Sequence, residues 1–330
     1  MTAPLDVPAT PTDPAPVSAA AGVSATAIQG RSLGQIAWMR LKRDKIAITG
    51  GLVVIFLILV AVFAPLIVGV LGHDPLQFNS DLIDSSTMAP KDGTGISTEH
   101  LFGVEPVNGR DIFSRIVYGA RISLLIAFLA TLLSVVIGTL LGVTAAYFGG
   151  LVDSIISKTM DVFLAFPILV FAIALTGIIP DDAFGLTGDT LRVALLVFVI
   201  GFFNWPYIGR IIRGQTLSLR EREFVDAARS LGARGSYIIF REILPNLVAP
   251  ILIYATLLIP TNVVFEASLS FLGVGVRPPT PTWGGMLSDA VRFYTMPYFM
   301  LFPGMAIFVT VLAFNLFGDG LRDALDPKAR

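Results

Sequence analysis

Six apolar stretches of this chain carry no Asp, Glu, Lys or Arg over lengths that dictate their solvent. They are Ile46–Gly72, Ile122–Val152, Val162–Pro180, Val193–Gly209, Ile243–Phe265 and Tyr294–Gly318, the shortest 17 residues and the longest 31. About 20 apolar residues cross the hydrocarbon core of a bilayer as a helix, so each stretch can cross once. Tilt, or helical turns outside the core, absorbs the surplus of the longest. The shortest continues through Trp205 and Tyr207, aromatic residues suited to a membrane interface. Composition agrees. Of 330 residues, 54% are hydrophobic and 14% charged, against about 25% charged in ordinary soluble domains. A soluble protein of this size could not hide that much apolar surface. A disordered chain, a nucleic-acid module and an ordinary soluble enzyme are thereby excluded. The net charge of −1 offers no global field for a polyanion. The expectation is an all-α membrane protein with six transmembrane helices, its outer faces against membrane lipid and with no nucleic-acid partner.

Residues 1–30 hold five prolines (Pro4, Pro8, Pro11, Pro14, Pro16) among Ala, Thr and Ser, with no basic residue before Arg31. That pattern is unlike a signal peptide and is expected as a disordered cytoplasmic tail. Residues 31–45 form a basic segment, and 46–330 the six-span domain. Six spans put both ends on one side. With the N-terminus inside, sixteen basic residues fall on the inner segments, seven of them between Arg210 and Arg241; seven fall on the outer segments. Inner segments carry the excess of Lys and Arg. Both termini are therefore expected in the cytoplasm of a cell with this chain in its inner membrane. Two loops are long: an outer, acid-rich one over about 73–121 and an inner, basic one over about 210–242.

The inner loop is the most patterned stretch. In Leu219-Arg-Glu-Arg-Glu-Phe-Val-Asp-Ala-Ala-Arg-Ser-Leu-Gly232, Phe224, Ala227, Ala228 and Leu231 recur at i, i+3, i+4 and i+7, one face of a helix. Arg220, Arg222, Glu223, Asp226 and Arg229 surround that face. Asp226 can pair with Arg222 at i−4 and with Arg229 at i+3. Gly232 suits a left-handed helix end. The alanines leave a narrow apolar face that fits a groove on a partner protein. The same amphipathicity also fits a helix lying on the membrane or on its own bundle.

The segment Asp226-Ala-Ala-Arg-Ser-Leu-Gly232, followed after eleven residues by Leu244-Pro245, resembles the "EAA" loop of permease subunits of bacterial ABC importers, with Asp226 where that family usually has Glu. Gly109-Arg-Asp-Ile-Phe-Ser-Arg115 and Tyr118-Gly-Ala-Arg-Ile-Ser-Leu124 resemble the start of the second span in dipeptide and oligopeptide permeases of the C-subunit type. Phe148-Gly-Gly150, Ala165-Phe-Pro167, Glu266-Ala-Ser-Leu-Ser-Phe-Leu-Gly273, Pro278-Pro-Thr-Pro-Thr-Trp-Gly284 and the run from Phe314 to Pro327 are similar to later parts of that family. The outer-loop His100-Leu-Phe-Gly-Val-Glu105 departs from the family's His-Pro-Leu-Gly-Thr-Asp. The resemblance implies a type I (MetI-like) permease fold with a cytoplasmic coupling helix. It implies three kinds of partner: a second permease subunit forming a heterodimer, two ATP-binding subunits and an extracytoplasmic substrate-binding protein. In that frame Arg222, Glu223, Phe224, Asp226, Ala227, Ala228, Leu231 and Gly232 dock on an ATPase. The expected cargo is a di- or oligopeptide, with nickel, a glycopeptide or another small solute as alternatives within the family.

No cofactor and no catalysis by this chain are expected. Its lysines follow Leu41, Asp44, Pro90, Ser157 and Pro327, so the Gly-Lys of a phosphate-cradling P-loop does not occur. There is no cysteine, and the two histidines, His73 and His100, fall in the outer loop. They are expected to be solvated rather than to bind a metal. Glu266 is flanked on both sides by apolar sequence. An ionisable group so placed is a candidate functional residue, here for gating or for the pathway, with helix bridging as the alternative. A secondary transporter would want ionisable groups within its spans and an inverted repeat. A mere membrane anchor would leave the patterned inner loop without a purpose.

Overall fold

The computed structural model describes residues 33–325. The tail expected over 1–30, Arg31, Lys328 and Arg330 lie outside the described residues. Helix α1 (Leu33–Leu41) leads into α2 (Lys45–Val62) and α3 (Ala64–Leu71). Asp44 caps α2 by accepting from the amides of Ile46 and Ala47, which satisfies two of the donors a helix start leaves free. The first expected span is thus two helices, divided at Phe63 because Pro65 falls in the first turn of α3 and offers no amide hydrogen.

Helix α4 (Ile112–Phe148) has 37 residues and is about 55 Å long. It begins ten residues before the expected second span. Asp111 caps it, accepting from the amide of Ser114. The charges of Arg115 and Arg121 set the sequence boundary too late, because Arg115 is neutralised by Glu105 and stays inside the helix. Gly149, at φ +67°, ends α4 four residues before the expected limit, in a conformation that favours glycine. The third span is broken: α5 (Gly150–Ala165) and α6 (Ile168–Ile178) meet at 79° across Phe166–Pro167. A two-strand hairpin, β1 (Asp182–Ala183) with β2 (Leu186–Thr187), follows. Its turn residues Phe184 and Gly185 both have positive φ, as a two-residue hairpin turn requires. It is a small β addition to the expected all-helical fold.

Helix α7 (Gly188–Arg220) returns across the bundle to α8 (Glu223–Ser230). A short turn, α9 (Gly235–Tyr237), runs through a π-helical segment at Ile238–Ile243 into α10 (Leu244–Phe271). The fifth span is therefore one rod from Gly235 to Phe271. Next come α11 (Trp283–Val291), capped by Thr282, and α12 (Pro297–Leu325). Among the described residues, five helices are long and apolar enough to cross a bilayer, and the bent pair α5–α6 makes six if it counts as one span.

Helices α4 and α7 form the most extended pairing, and small residues permit it. A Cβ on Gly138 would sit 2.7 Å from the Trp205 carbonyl oxygen, one on Gly142 2.6 Å from that of Gly209, and one on Gly201 2.8 Å from that of Ala130. Ser134 Oγ donates across the seam to the Gly201 carbonyl at 2.8 Å. In a bilayer, helices associate through such close packing and interhelical hydrogen bonds, because lipid gives them little hydrophobic drive to pair. Helices α2, α10 and α12 flank this pair around a core that includes Val54, Ala127, Val263 and Phe314. Ile46, Leu52, Phe56, Leu66 and Val70 of α2 and α3 stay exposed, consistent with contact to lipid.

Candidate functional site

The patterned segment folds as a helix held on one side and open on the other. Arg220 at the end of α7 donates to the carbonyls of Ala146 (2.9 Å) and Tyr147 (3.3 Å). It thereby ties α7 to the C-terminus of α4, where carbonyls lack helical partners. Arg213 donates to both carboxylate oxygens of Asp153, at 2.5 and 2.6 Å, fixing α5 to α7. Arg222 is the N-cap position of α8. Val225 is fully buried among Val143 of α4, Ile208 and Ile212 of α7, and Ile238, Ile243 and Leu247. Ala228 packs at the edge of the same cluster.

The expected face Phe224, Ala227, Ala228, Leu231 points the other way, apart from the half-buried Ala228. Leu231 is 88% exposed and Phe224 38%. With Tyr237 and Phe240 they line a groove of about 840 Å³, edged by Arg234, Arg241 and Glu242. Arg222, Glu223 and Asp226 are exposed beside it. Of the two pairings expected for Asp226, the one with Arg229 forms, at 3.2 Å. Gly232 has φ +79°, and the Ala233 amide reaches back to the Ala228 carbonyl at 3.0 Å, the hydrogen bond of a Schellman helix end. The periodic face is open at Phe224, Ala227 and Leu231 and half-buried at Ala228, and its anchor, Val225, gives no periodic signal because one apolar residue makes no stripe. The site is thus a short helix rooted in the bundle by one valine, presenting an apolar groove with a charged rim.

Glu266 is fully buried in α10. Its Oε1 accepts from Ser270 Oγ at 2.7 Å, and Ser123 of α4 is a further neighbour of the carboxyl group. Beside it a Cβ on Gly284 of α11 would come within 2.3 Å of the Ala267 carbonyl oxygen. Glu266 therefore lies where α4, α10 and α11 meet.

The spans also contain polar side chains that only the fold brings together. Asn204 Nδ2 donates to Asn262 Oδ1 at 2.9 Å, and Asn262 Nδ2 donates to Thr131 Oγ1 at 2.8 Å. The three residues come from α7, α10 and α4. No polar stripe within a span marks them, because each helix contributes a single group.

The acid-rich segment between α3 and α4 keeps Asp74, Asp81, Asp92 and Glu99 exposed but buries Glu105 and Asp111. Glu105 is 2% exposed and pairs with Arg110 and with Arg115, the latter at 3.2 Å. Burial pushes the Glu105 carboxyl up, against the pull of both arginines. Tyr298 of α12 donates to the Val104 carbonyl at 2.9 Å. His100, expected to be solvated, is buried and its Nδ1 lies 3.0 Å from Asp111 Oδ1.

The relatives agree with this architecture. Residues 138–330 match the binding-protein-dependent transport system inner membrane component family, and residues 32–90 match the N-terminal membrane domain of oligopeptide transport permease C. The chain is 42% identical over 299 residues to the dipeptide transport system permease protein DppC of Alkalihalophilus pseudofirmus, covering 89% of this chain and 90% of the relative. It is 41% identical over 294 residues to the glutathione transport system permease protein GsiD of Escherichia coli O6:K15:H31, with the same coverage. The fold is shared with a chain of the inward-facing MetNI methionine ABC transporter, at a TM-score of 0.53 and 18% identity over 65% of this chain and 98% of that one. The protein is a multi-pass inner-membrane component of a binding-protein-dependent ABC transport system and belongs to that family.

Proposed function

We propose that this chain forms half of the translocation pathway of an ATP-driven importer of di- or oligopeptides. Dipeptides and glutathione, itself a short peptide, are the cargoes named for its relatives. The observation that carries the coupling role is the groove on α8, with an exposed apolar face on a helix whose root is locked into the bundle. One of two partner ATPases docks there through Phe224, Ala227, Leu231 and the exposed charged residues Arg222, Glu223 and Asp226 beside the groove. A second permease subunit completes the pathway, and an extracytoplasmic binding protein delivers the peptide at the face carrying residues 73–111. Both termini lie in the cytoplasm, in keeping with the excess of basic residues on that side. ATP is hydrolysed by the partners and not by this chain, which has no P-loop. Glu266 acts as a brace between α4, α10 and α11 and through them takes part in gating.

The test is uptake of labelled dipeptides and glutathione by cells that lack their own peptide importers and express this chain with the other subunits of its transporter. Accumulation that depends on ATP and on this chain is expected. Uptake of nickel ions without any peptide uptake would overturn the substrate assignment.

A further inference from the structure

We propose that His73, His100 and Asp111 form a binding site for a transition-metal dication of the zinc or nickel class, on the face carrying residues 73–111. One donor atom from each of the three residues lies within 4.8 Å of the others. The two imidazole rings stand 4.5 Å apart, centroid to centroid. His100 Nδ1 and Asp111 Oδ1 are 3.0 Å apart. Two imidazole nitrogens and a carboxylate oxygen suit zinc, nickel or copper rather than magnesium or calcium, which favour all-oxygen sites.

The donors are held in place before any ion arrives. Asp111 Oδ2 accepts from both the amide (2.8 Å) and the hydroxyl (2.5 Å) of Ser114. The same Ser114 Oγ accepts from the backbone amide of His73 at 2.9 Å, tying it to a residue 41 positions away. The backbone amide of His100 donates to Ser97 Oγ at 3.0 Å. His73 Nδ1 is buried and has no hydrogen-bond partner among the described residues. A buried nitrogen without a partner is costly, and a metal bond would satisfy it. A tetrahedral ion with bonds of about 2.0–2.2 Å holds its donors roughly 3.4 Å apart. The donor atoms, now within 4.8 Å of one another, must therefore close by up to about 1.4 Å, through imidazole rotation together with a shift of the loop that carries His73. The ion takes the place of the proton between His100 Nδ1 and Asp111 Oδ1, and water fills the fourth position.

Such an ion would clasp the segment between α3 and α4 onto the start of α4. By linkage it would then raise the unfolding temperature of the chain. The sequence hides the site because no two of its ligands share the short spacing of a metal motif.

The test uses the full chain, solubilised in detergent and purified without a histidine tag. Elemental analysis after dialysis against zinc should find one equivalent per chain, and the cobalt derivative should show the intense visible bands of a tetrahedral ion. Zinc should raise the unfolding temperature where magnesium does not. His73→Ala should lose the equivalent and the zinc-induced shift while still eluting as the native chain. Zinc at equal stoichiometry in His73→Ala and the parent would overturn the site, as would absence of both zinc and cobalt bands in the parent. If His73→Ala fails to fold, the cobalt spectrum of the parent decides alone.

Discussion

Leu231→Ala separates a docking face from a folding face. The side chain is 88% exposed, so its removal takes nothing from the chain's own core. Complete burial of a leucine is worth about 1.5–3 kcal/mol. If the ATPase covers this residue, truncation to alanine removes roughly 1.3–2.6 kcal/mol of binding, scaled by that exposure. At about 1.4 kcal/mol per factor of ten, affinity for the ATPase falls roughly 10- to 80-fold. The unfolding temperature of the isolated permease stays where it was. Val225→Ala gives the opposite signature. Val225 is fully buried in the cluster under α8, so losing two methyl groups costs about 1.5–3 kcal/mol of stability. Binding of the solubilised permease to its ATPase subunits by interferometry, with thermal unfolding beside it, reads both quantities. Native ATPase affinity and native coupled uptake in Leu231→Ala would refute the docking assignment, and so would a lowered unfolding temperature in that variant.

Other outcomes follow from the same packing. Gly142→Val places a branched side chain where even a Cβ would sit 2.6 Å from the Gly209 carbonyl oxygen; overpacking of this kind costs about 1–3 kcal/mol, and thermal unfolding in detergent should drop accordingly, whereas Gly214→Val, with nothing near its Cβ, should not. Glu266→Gln keeps an acceptor for Ser270 Oγ and so leaves assembly with the partner permease intact while altering uptake; an unchanged uptake rate would remove Glu266 from any part in gating. Arg192, with help from Arg277, holds the Asp181 carboxyl below its usual range. The depressed value means the folded state gains stability above the ordinary carboxylate pKa of about 3.9 and loses that gain as pH falls through the folded value. Amide exchange of residues 179–188, corrected for intrinsic rates, should therefore accelerate as pH falls below about 4, and Arg192→Gln should weaken the dependence to the part that Arg277 supplies.

How far the sequence reveals this protein depends on how many residues encode each feature. Spans are encoded by 17 to 31 residues each, so their number and order are legible even where one is broken. Their ends are set by single groups, and a scan for charge misplaces them. Arg115 lies inside α4 because Glu105 neutralises it, and Gly149 ends that helix through its backbone conformation. The exposed Phe224, Ala227 and Leu231 of α8 are legible because they repeat at helical spacing with the half-buried Ala228. Val225, the Asn204–Asn262–Thr131 chain and the His73–His100–Asp111 group are not legible. Each depends on residues from separate elements that meet only once the chain is folded.

The position of α8 also decides what a push on it can move. Val225 touches a cluster built from α4 (Val143), α7 (Ile208, Ile212) and the start of the α10 rod (Ile238, Ile243, Leu247). Arg220 fastens the end of α7 to the last carbonyls of α4, and Arg213 fastens α5 to α7. Displacement of α8 by a partner therefore bears on four spans at their shared base, while α2 and α12 pack elsewhere. Helices α4 and α7 are pressed together at Gly138, Gly142 and Gly201 with no room for a side chain, so that pair can move only as one body. Relative motion must then fall where the backbone is already interrupted: at the 79° bend between α5 and α6 and at the π-helical segment below α10. A disulfide or cross-link that rigidifies the Phe166–Pro167 bend should stop coupled uptake while leaving ATPase docking on α8 unchanged. Transport at the native rate through a locked bend would place the moving joint elsewhere.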